Sequence, residues 1–279
     1  MLSLYNDVSF ATSKLVTTAY STSFSRAVGF LDKEIRTAIY SIYGFVRFAD
    51  EIVDTFHDFD KRGLLDRFER NYHESVREGI SLNPVLNSFQ LTVRRYNIDD
   101  DLIGAFLKSM KLDLSRLEHN SKDEVDEYIY GSAEVVGLMC LKVFVNGNET
   151  LYTELKEPAR KLGAAFQKVN FLRDLKNDTE NLKRQYFHTL AGRKFDEATK
   201  SEIIRDIEND FLSSLSGLKK LPQNSRLGVL IAYHYYMSLL KRIRRTPAPR
   251  LLEKRIRVPD INKFFLLLRA ILINKLNII

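Results

Sequence analysis

The stretch FVRFADEIVD, residues 45–54, places three acidic residues among large apolar side chains. In a helix, residues three and four positions apart share a face, so Tyr43, Arg47, Asp50 and Asp54 would form one polar row flanked by apolar residues. Charged side chains are seldom buried unless they are paired or bind a metal. The stretch therefore predicts a helix whose carboxylates face either solvent or an internal cavity.

A second row of this kind follows in QKVNFLRDLKND, residues 167–178. Gln167, Asn170, Asp174 and Asp178 are spaced by three, four and four residues, which again gives one polar stripe on a helix. A single pair of aspartates four residues apart usually marks a solvated helix face. Two such rows, each embedded in apolar sequence, favour a shared cavity instead.

The composition favours long helices. The chain has 279 residues, 44% of them hydrophobic and 28% charged, with only 12 Gly and 6 Pro for tight turns. Asp32, Asn83 and Ser121 occupy positions typical of helix N-caps, and Pro84 stands at a first helical position. We find no alternating strand pattern and no linker, so we predict one all-α domain over residues 1–279. Its helices are expected near 32–56, 59–78, 99–117, 121–143, 150–178, 196–217 and 225–244, with a further one that begins at Pro84 and a last one after Pro259.

Charge and targeting signals narrow the function classes. The net charge is +7, but the basic residues are dispersed and no basic–aromatic signature of nucleic-acid binding appears, so we expect no nucleic-acid partner. One cysteine, Cys140, fits a reducing compartment, and the N-terminus shows no secretion signal. We therefore expect a cytoplasmic protein. The apolar segment 261–279 is either a terminal core helix or a helix that lies against the inner face of a membrane.

The two acidic rows suggest a metal site. Mg²⁺ binds oxygen ligands, commonly one or two carboxylates together with phosphate oxygens and water. Two helices that each offer two carboxylates could hold several Mg²⁺ ions, or Mn²⁺ in their place, around one diphosphate. Arg47, Arg173, Lys183 and Arg184 could neutralise the departing phosphate. An all-α cavity of this kind predicts the ionisation of a prenyl diphosphate.

Four segments in order resemble the squalene/phytoene synthase family. They are YSTSFSRAV at 20–28, YGFVRFADEIVD at 43–54, YIYGSAEVVGLM at 128–139 and QKVNFLRDLKND at 167–178. The tail RRTPAPRLLEKRIRVPD, residues 244–260, is similar to the bacterial carotenoid branch of this family. The resemblance implies an isoprenoid-synthase helical fold around a central cavity and a head-to-head condensation of two prenyl diphosphates.

The resemblance also implies a role for each candidate site residue. It implies that Mg²⁺ is held by the two acidic rows, that two tyrosines stand near the reacting carbons, that polar residues bind the substrate diphosphates, and that three small side chains line the prenyl channel. The implied Mg²⁺ ligands are Asp50, Asp54, Asn170, Asp174 and Asp178, and the implied tyrosines near the reacting carbons are Tyr128 and Tyr236. The implied diphosphate-binding residues are Ser21, Ser23, Tyr43, Arg47, Gln167 and Arg173. The implied residues of the prenyl channel are Val28, Ser132 and Val136.

The resemblance leaves two candidate substrates, which correspond to two branches of the family. The small Val28 and Ser132 and the carotenoid-like tail favour geranylgeranyl diphosphate, which would give phytoene without NADPH. The alternative is dehydrosqualene or squalene formation from farnesyl diphosphate. A chain-elongating prenyltransferase or a terpene cyclase should show a DDxxD row or an Asn/Ser/Glu motif, and neither occurs. A non-catalytic scaffold should have lost some of the four aspartates. We expect a peripheral membrane contact through which the product is released.

Overall fold

The fold is helical throughout the part of the chain that can be described. The computed structural model describes residues 1–115, 121–180 and 194–276, and the side chains of 177–180, 260 and 261 lie outside that description. The structure is 85% helical, with no strand among the described residues. The predicted all-α class is therefore confirmed, whereas the single domain over 1–279 and the cytoplasmic location stay predictions.

Thirteen α-helices and one π-helical segment follow one another through the described ranges. In chain order they are α1 (Leu2–Tyr20), α2 (Thr22–Val28), α3 (Lys33–Asp54), α4 (Lys61–Glu78), α5 (Pro84–Tyr96), α6 (Asp100–Asp113), α7 (Lys122–Ile129), the π segment (Tyr130–Glu134), α8 (Val135–Val145), α9 (Glu149–Glu180), α10 (Glu197–Lys220), α11 (Gln223–Arg245), α12 (Ala248–Glu253) and α13 (Asp260–Leu276).

Helix α3 is the centre of the first hydrophobic core. Its Phe45 is fully buried and stacks on Phe89 with ring centroids 4.0 Å apart, while Tyr72 and Phe106 tilt against it at 5.5 and 5.7 Å. Such aromatic contacts add to the stabilisation from buried apolar area. At 3.6 residues per turn, the row that contains Asp50 lies on the side of α3 away from Phe45. Packing of the aromatic face thus turns the acidic row toward the cavity.

A second core joins α9 to α10 and α11. Its fully or almost fully buried side chains include Val169 and Leu172 of α9, Ile207 and Phe211 of α10, and Ile231 of α11. Residues of both cores line one large cavity between them. The fold therefore presents α3 and α9, which carry the two acidic rows, to the same cavity.

Two of the three helix caps that were expected from the sequence form capping hydrogen bonds, whereas Asp32 stands at the N-cap position of α3 but its side chain makes no capping bond. Asn83 Oδ1 accepts hydrogen bonds from the backbone N–H groups of Val85 and Leu86 at 3.0 and 3.3 Å. Ser121 Oγ accepts one from Glu124 N–H at 3.2 Å. These bonds satisfy donors that a helix N-terminus otherwise leaves unpaired.

Helix α1 has no counterpart among the sequence predictions. The side that it buries is formed by small polar residues, Ser9, Ser13 and Thr17, so it shows no apolar period. Ser13 Oγ lies 2.7 Å from Ser88 Oγ of α5, and the Asn87 amide donates to Ser9 Oγ at 3.0 Å. A helix that packs through hydrogen bonds escapes a prediction based on hydrophobic periodicity.

The single helix predicted over 121–143 is wrong in one respect, because the π segment interrupts it. Close backbone packing accompanies this segment. A Cβ at Gly131 would lie 2.7 Å from the carbonyl oxygen of Ala105, and a Cβ at Gly163 would lie 2.8 Å from that of Ala133. The π segment is thus held between α6 and α9 at two glycines, and π turns are frequent at functional sites.

One helical run in the described residues is long and apolar enough to cross a membrane by length and composition. It covers Lys122–Val145, and 56% of its apolar window is buried inside the protein. The run packs against α6 and α9 within the fold. Its apolar character is therefore accounted for by contacts within the protein.

Replacing Gly163 tests the close packing of α9 on the π segment. Gly163→Ala should lower the free energy of unfolding by about 1–3 kcal/mol, the usual cost of an overpacked site, because the new methyl group meets backbone rather than a movable side chain. Gly104→Ala is the matched control, at an exposed position of α6 with nothing within 4 Å; it should stabilise the chain by about 0.5–1 kcal/mol. Urea unfolding followed by circular dichroism measures both. Equal effects of the two changes would contradict the packing described.

Candidate active site

The cavity between the two cores is large. Its volume is about 1910 Å³, against roughly 300–1,000 Å³ for ordinary small-molecule sites. Every predicted site residue whose side chain the structure describes lies on its wall. The side chain of Asp178 lies outside the described residues, as do Lys183 and Arg184. The structure brings the predicted residues together, and their roles stay predictions.

Asp50 and Asp54 stand one turn apart on the α3 side of the cavity. The pKa of Asp50 is raised from 3.8 to about 7, chiefly by burial and next by the charge of Asp54, while nearby Arg47 offsets part of the rise. Asp113 also contributes to the rise. The ionised carboxylates thus repel one another in a poorly hydrated place, which is the electrostatic setting that a bound cation would relieve.

Arg47 is held in place above this pair. Its guanidinium lies over the ring of Tyr20, 4.4 Å from the centroid, and it forms an ion pair with Glu51. Its Nε is buried and has no hydrogen-bond partner among the described residues. A buried donor without a partner is costly, so this atom marks a place where an anionic oxygen would be stabilised.

Residues of α2 cover the same side of the cavity. Tyr43 stacks on Phe24 with centroids 4.9 Å apart and forms a hydrogen bond with Ser21. Ser21 Oγ also caps α2 by accepting from Phe24 N–H, and Ser23, the second residue of that helix, lines the cavity. Burial raises the pKa of Tyr43 to about 12, so its phenol stays protonated and acts as a hydrogen-bond donor at neutral pH.

On the α9 side, Asp174 lies between two arginines. Arg173 Nε donates to it at 3.1 Å, and Arg255 Nε lies 2.7 Å from its Oδ1. Arg255 belongs to the extended segment between α12 and α13, which also brings Arg257 to the cavity. Burial and the proximity of Arg173 lower the pKa of Arg255. This end of the cavity therefore concentrates positive charge around a single carboxylate.

Sequence reasoning missed Arg255. The only local signal was the pair of arginines in RIRVP, which was used for the resemblance but given no role. The position of the segment follows from Ile256, which is buried in the second core and fixes the backbone beside α9. A contact of this kind joins residues about 80 positions apart and leaves no periodic pattern in the sequence.

A polar chain crosses from the π segment to α11. Gln167 Nε2 donates to Ser132 Oγ, and Asn170 Nδ2 donates to Gln167 Oε1, each at 3.5 Å. The Tyr236 hydroxyl donates to Asn170 Oδ1 at 3.3 Å, and its ring stacks on Phe166 at 4.0 Å. The two amides are thus oriented along the cavity wall, and each amide oxygen accepts one hydrogen bond and keeps a second lone pair for a ligand.

Tyr128 is deeply buried, and its hydroxyl donates to Asp113 Oδ2 at 2.7 Å. Its ring stacks on Phe171 of α9 with centroids 6.1 Å apart. Asp113 is a second residue that sequence reasoning missed. It extends the buried face of Phe106 and Met110 in α6, and an acidic residue at the end of such an apolar face was the signal available.

The remaining wall of the cavity is apolar. Val28 and Val136 lie on it together with Cys140. Burial raises the pKa of the Cys140 thiol to about 12, so this side chain is neutral and behaves as part of the apolar lining. The cavity therefore has a charged end, formed around the acidic rows, and an apolar remainder suited to hydrocarbon chains.

The donor set fits Mg²⁺ together with a diphosphate. The candidate ligands are carboxylate and amide oxygens, which this hard cation prefers. Among the described side chains, no cluster of three or more His, Cys, Asp or Glu could hold an ion by itself. Mg²⁺ usually takes one or two carboxylates and completes its shell with substrate phosphates and water. Asp50 and Asp54 on one side and Asp174 and Asn170 on the other would hold it in this way.

Replacing Asp50 should stabilise the ligand-free chain. Its pKa is higher in the folded chain than in the unfolded chain, so ionisation destabilises the fold as the pH rises from 3.8 to about 7. Asp50→Asn removes that charge and should raise the melting temperature at about pH 8, by about 2–4 °C for each kcal/mol relieved. The gain should be smaller at about pH 5. Differential scanning calorimetry without divalent ions measures both.

Asp58→Asn is the control for this experiment. Asp58 is an exposed aspartate just beyond the same helix, so its replacement should leave the melting temperature unchanged at both pH values. A melting temperature of Asp50→Asn at or below that of the unmodified chain at the higher pH would contradict the proposed repulsion among the cavity carboxylates.

Comparisons with known proteins agree with this geometry. Residues 17–262 match the squalene/phytoene synthase family. The phytoene synthase of Arthrospira platensis is 30% identical over 181 residues, which cover 61% of this chain and 58% of that protein. The 4,4'-diapophytoene synthase of Staphylococcus haemolyticus is 24% identical over 247 residues, or 81% of this chain and 84% of that protein.

Solved structures show the same fold. A dehydrosqualene synthase superimposes with a TM-score of 0.82 at 21% identity, covering 95% of this chain and 96% of that one. The squalene synthase HpnC from Alicyclobacillus acidocaldarius gives a TM-score of 0.75 at 17% identity, covering 91% and 97%. With the helical fold, the cavity and a family match that runs from residue 17 to residue 262, the chain belongs to the squalene/phytoene synthase family.

Proposed function

We propose that this chain condenses two molecules of geranylgeranyl diphosphate head to head and forms phytoene. The family consists of prenyltransferases that act on prenyl diphosphates. The observation that carries the proposal is the cavity itself, about twice the volume at the upper end of the usual range, with residues of both acidic rows and an apolar wall lining it. Such a space suits two long hydrocarbon chains whose diphosphates lie side by side.

The charged end would bind the diphosphates. Arg47, Arg173 and Arg255 can each donate to phosphate oxygens, and two of them would exchange their present contact with Asp174 for the ligand. Asp174 would then be released to serve as a ligand. When bound, Mg²⁺ supplies Lewis-acid stabilisation of the departing diphosphate oxygen.

The proposed reaction proceeds in two stages. The C1–oxygen bond of one substrate breaks, and its diphosphate leaves with the bonding electrons. The π electrons of the 2,3 double bond of the second substrate then attack this cationic C1, and loss of a proton closes a cyclopropane that keeps the second diphosphate. The second carbon–oxygen bond breaks, the ring rearranges, and another proton leaves. Two substrates thus yield one triene hydrocarbon, two diphosphates and two protons.

The apolar and aromatic walls would protect the cations. Rings of Phe166 and Tyr236 stack against each other at the cavity wall, and Phe24 stacks on Tyr43. Aromatic faces stabilise positive charge without attacking it, and exclusion of water prevents premature quenching. With its pKa near 12, Tyr43 would remain protonated and orient a diphosphate oxygen by donating to it.

A second candidate is formation of dehydrosqualene from farnesyl diphosphate. The relative named as a diapophytoene synthase matches a larger share of this chain than the relative named as a phytoene synthase. Against this, the small side chains of Val28, Ser132 and Val136 on the cavity wall leave room for the longer chain. We therefore prefer the C20 substrate.

The test is a product assay with purified protein and Mg²⁺ but no NADPH. Geranylgeranyl and farnesyl diphosphate are offered separately, and the extracts are analysed by mass spectrometry. We expect a C40 triene from the C20 substrate. A C30 product from the C15 substrate alone would move the assignment to dehydrosqualene formation, and no hydrocarbon from either would favour a scaffold.

Asp174→Asn provides the matching activity prediction. Loss of this carboxylate should reduce turnover by about a hundredfold or more, since metal-assisted departure contributes several kcal/mol, while circular dichroism stays unchanged. The exposed-site variant Asp58→Asn should retain full activity. Turnover near that of the unmodified chain in Asp174→Asn would remove Asp174 from the catalytic site.

A further inference from the structure

The outer face of α13 is exposed although it is apolar. Phe264, Phe265, Leu268, Leu272 and Leu276 are 55%, 61%, 43%, 59% and 64% exposed, respectively. At 3.6 residues per turn they occupy one continuous side of the helix. Soluble chains rarely leave such a contiguous apolar surface open unless it contacts a partner or a membrane.

Packing within the chain does not account for this face. The opposite side of α13 is the one that the fold uses. Ala270 is fully buried, Leu266, Leu267 and Ile273 pack on the second core, and α11 is the neighbouring helix. Both the inner and the outer side of α13 are thus apolar, but the fold covers only the inner side.

The charges around the outer face are positive. Helix α13 has three basic residues, Lys263, Arg269 and Lys275, and one acidic residue, Asp260, at its first position. Arg269 and Lys275 are exposed. Arg269 and Lys241 of α11 both lie near His234, whose pKa is lowered to about 4 by burial and by these two charges. An apolar strip bordered by cations complements an anionic lipid surface.

A second copy of the chain fits this face less well. A twofold axis would pack two α13 helices of the same net positive charge against each other, since each has three basic residues and one acidic residue. Helix α1 also exposes Leu4, Val8 and Leu15, but it carries Asp7 as well as Lys14 and so has no net charge.

Helix α13 begins at the rim of the cavity. Val258 and Pro259, just before it, and Lys263, in its first turn, line the cavity wall. We propose that the outer face of α13 docks on an anionic phospholipid bilayer and holds this rim of the cavity against the membrane. The docking rests on the surface alone, and the proposed function only adds a reason for it, because a long hydrocarbon product needs an apolar acceptor.

Vesicle sedimentation with the full chain tests the proposal and requires no turnover. Vesicles of phosphatidylcholine, alone or mixed with phosphatidylglycerol, are incubated with the unmodified chain and with the triple variant Phe265→Ser, Leu268→Ser, Leu272→Ser. The control is the triple variant Leu4→Ser, Val8→Ser, Leu15→Ser on α1. Circular dichroism and melting temperatures verify that each variant folds, and light scattering gives the mass in solution.

The proposal expects binding to the anionic vesicles that weakens at high salt, about tenfold or greater loss of partitioning in the α13 variant, and unchanged partitioning in the α1 variant. Absence of vesicle binding by the unmodified chain would overturn it. Equal losses in the two variants, or a dimer that only the α13 variant abolishes, would overturn it as well. Product formation is measured in a separate assay. The proposed function can therefore fail while the docking is confirmed, and the docking can fail while the proposed function is confirmed.

Discussion

The placing of several carboxylates inside one helical bundle is the constraint on which the rest of the site depends. Asp50, Asp54 and Asp113 are close enough that the latter two raise the pKa of the first, which burial has already raised. Nearby Arg47 offsets only part of this rise. The chain thus keeps an electrostatic cost in its ligand-free state, and such costs are characteristic of sites that bind charge.

The arginines complete this arrangement. Arg47 stands over the α3 carboxylates with one buried N–H group unused, while Arg173 and Arg255 engage the Asp174 carboxylate on α9. A diphosphate would meet both needs, because it offers acceptors to the guanidinium groups and releases Asp174. In the ligand-free structure, the Asp174 carboxylate therefore accepts the arginine contacts that the ligand's oxygens would later accept.

Periodicity explains what the sequence could predict. The rows through Asp50 and Asp174 lie on long regular helices, so residue spacing alone placed them on one face, and apolar neighbours indicated that the face was enclosed. Asn83 and Ser121 were predictable because caps are local. Helix α1 was not, since it packs through Ser13 and Thr17. Asp113 and Arg255 were not predicted because their places depend on contacts between distant segments.

A crystal structure with Mn²⁺ and inorganic pyrophosphate, with the ions located by anomalous scattering, tests the central claim most directly. The account predicts pyrophosphate between α3 and α9, with ions bound to carboxylates of both helices and with Arg255 moved from Asp174 to a phosphate oxygen. Ions and pyrophosphate confined to one helix, with the Arg255–Asp174 contact intact, would contradict it.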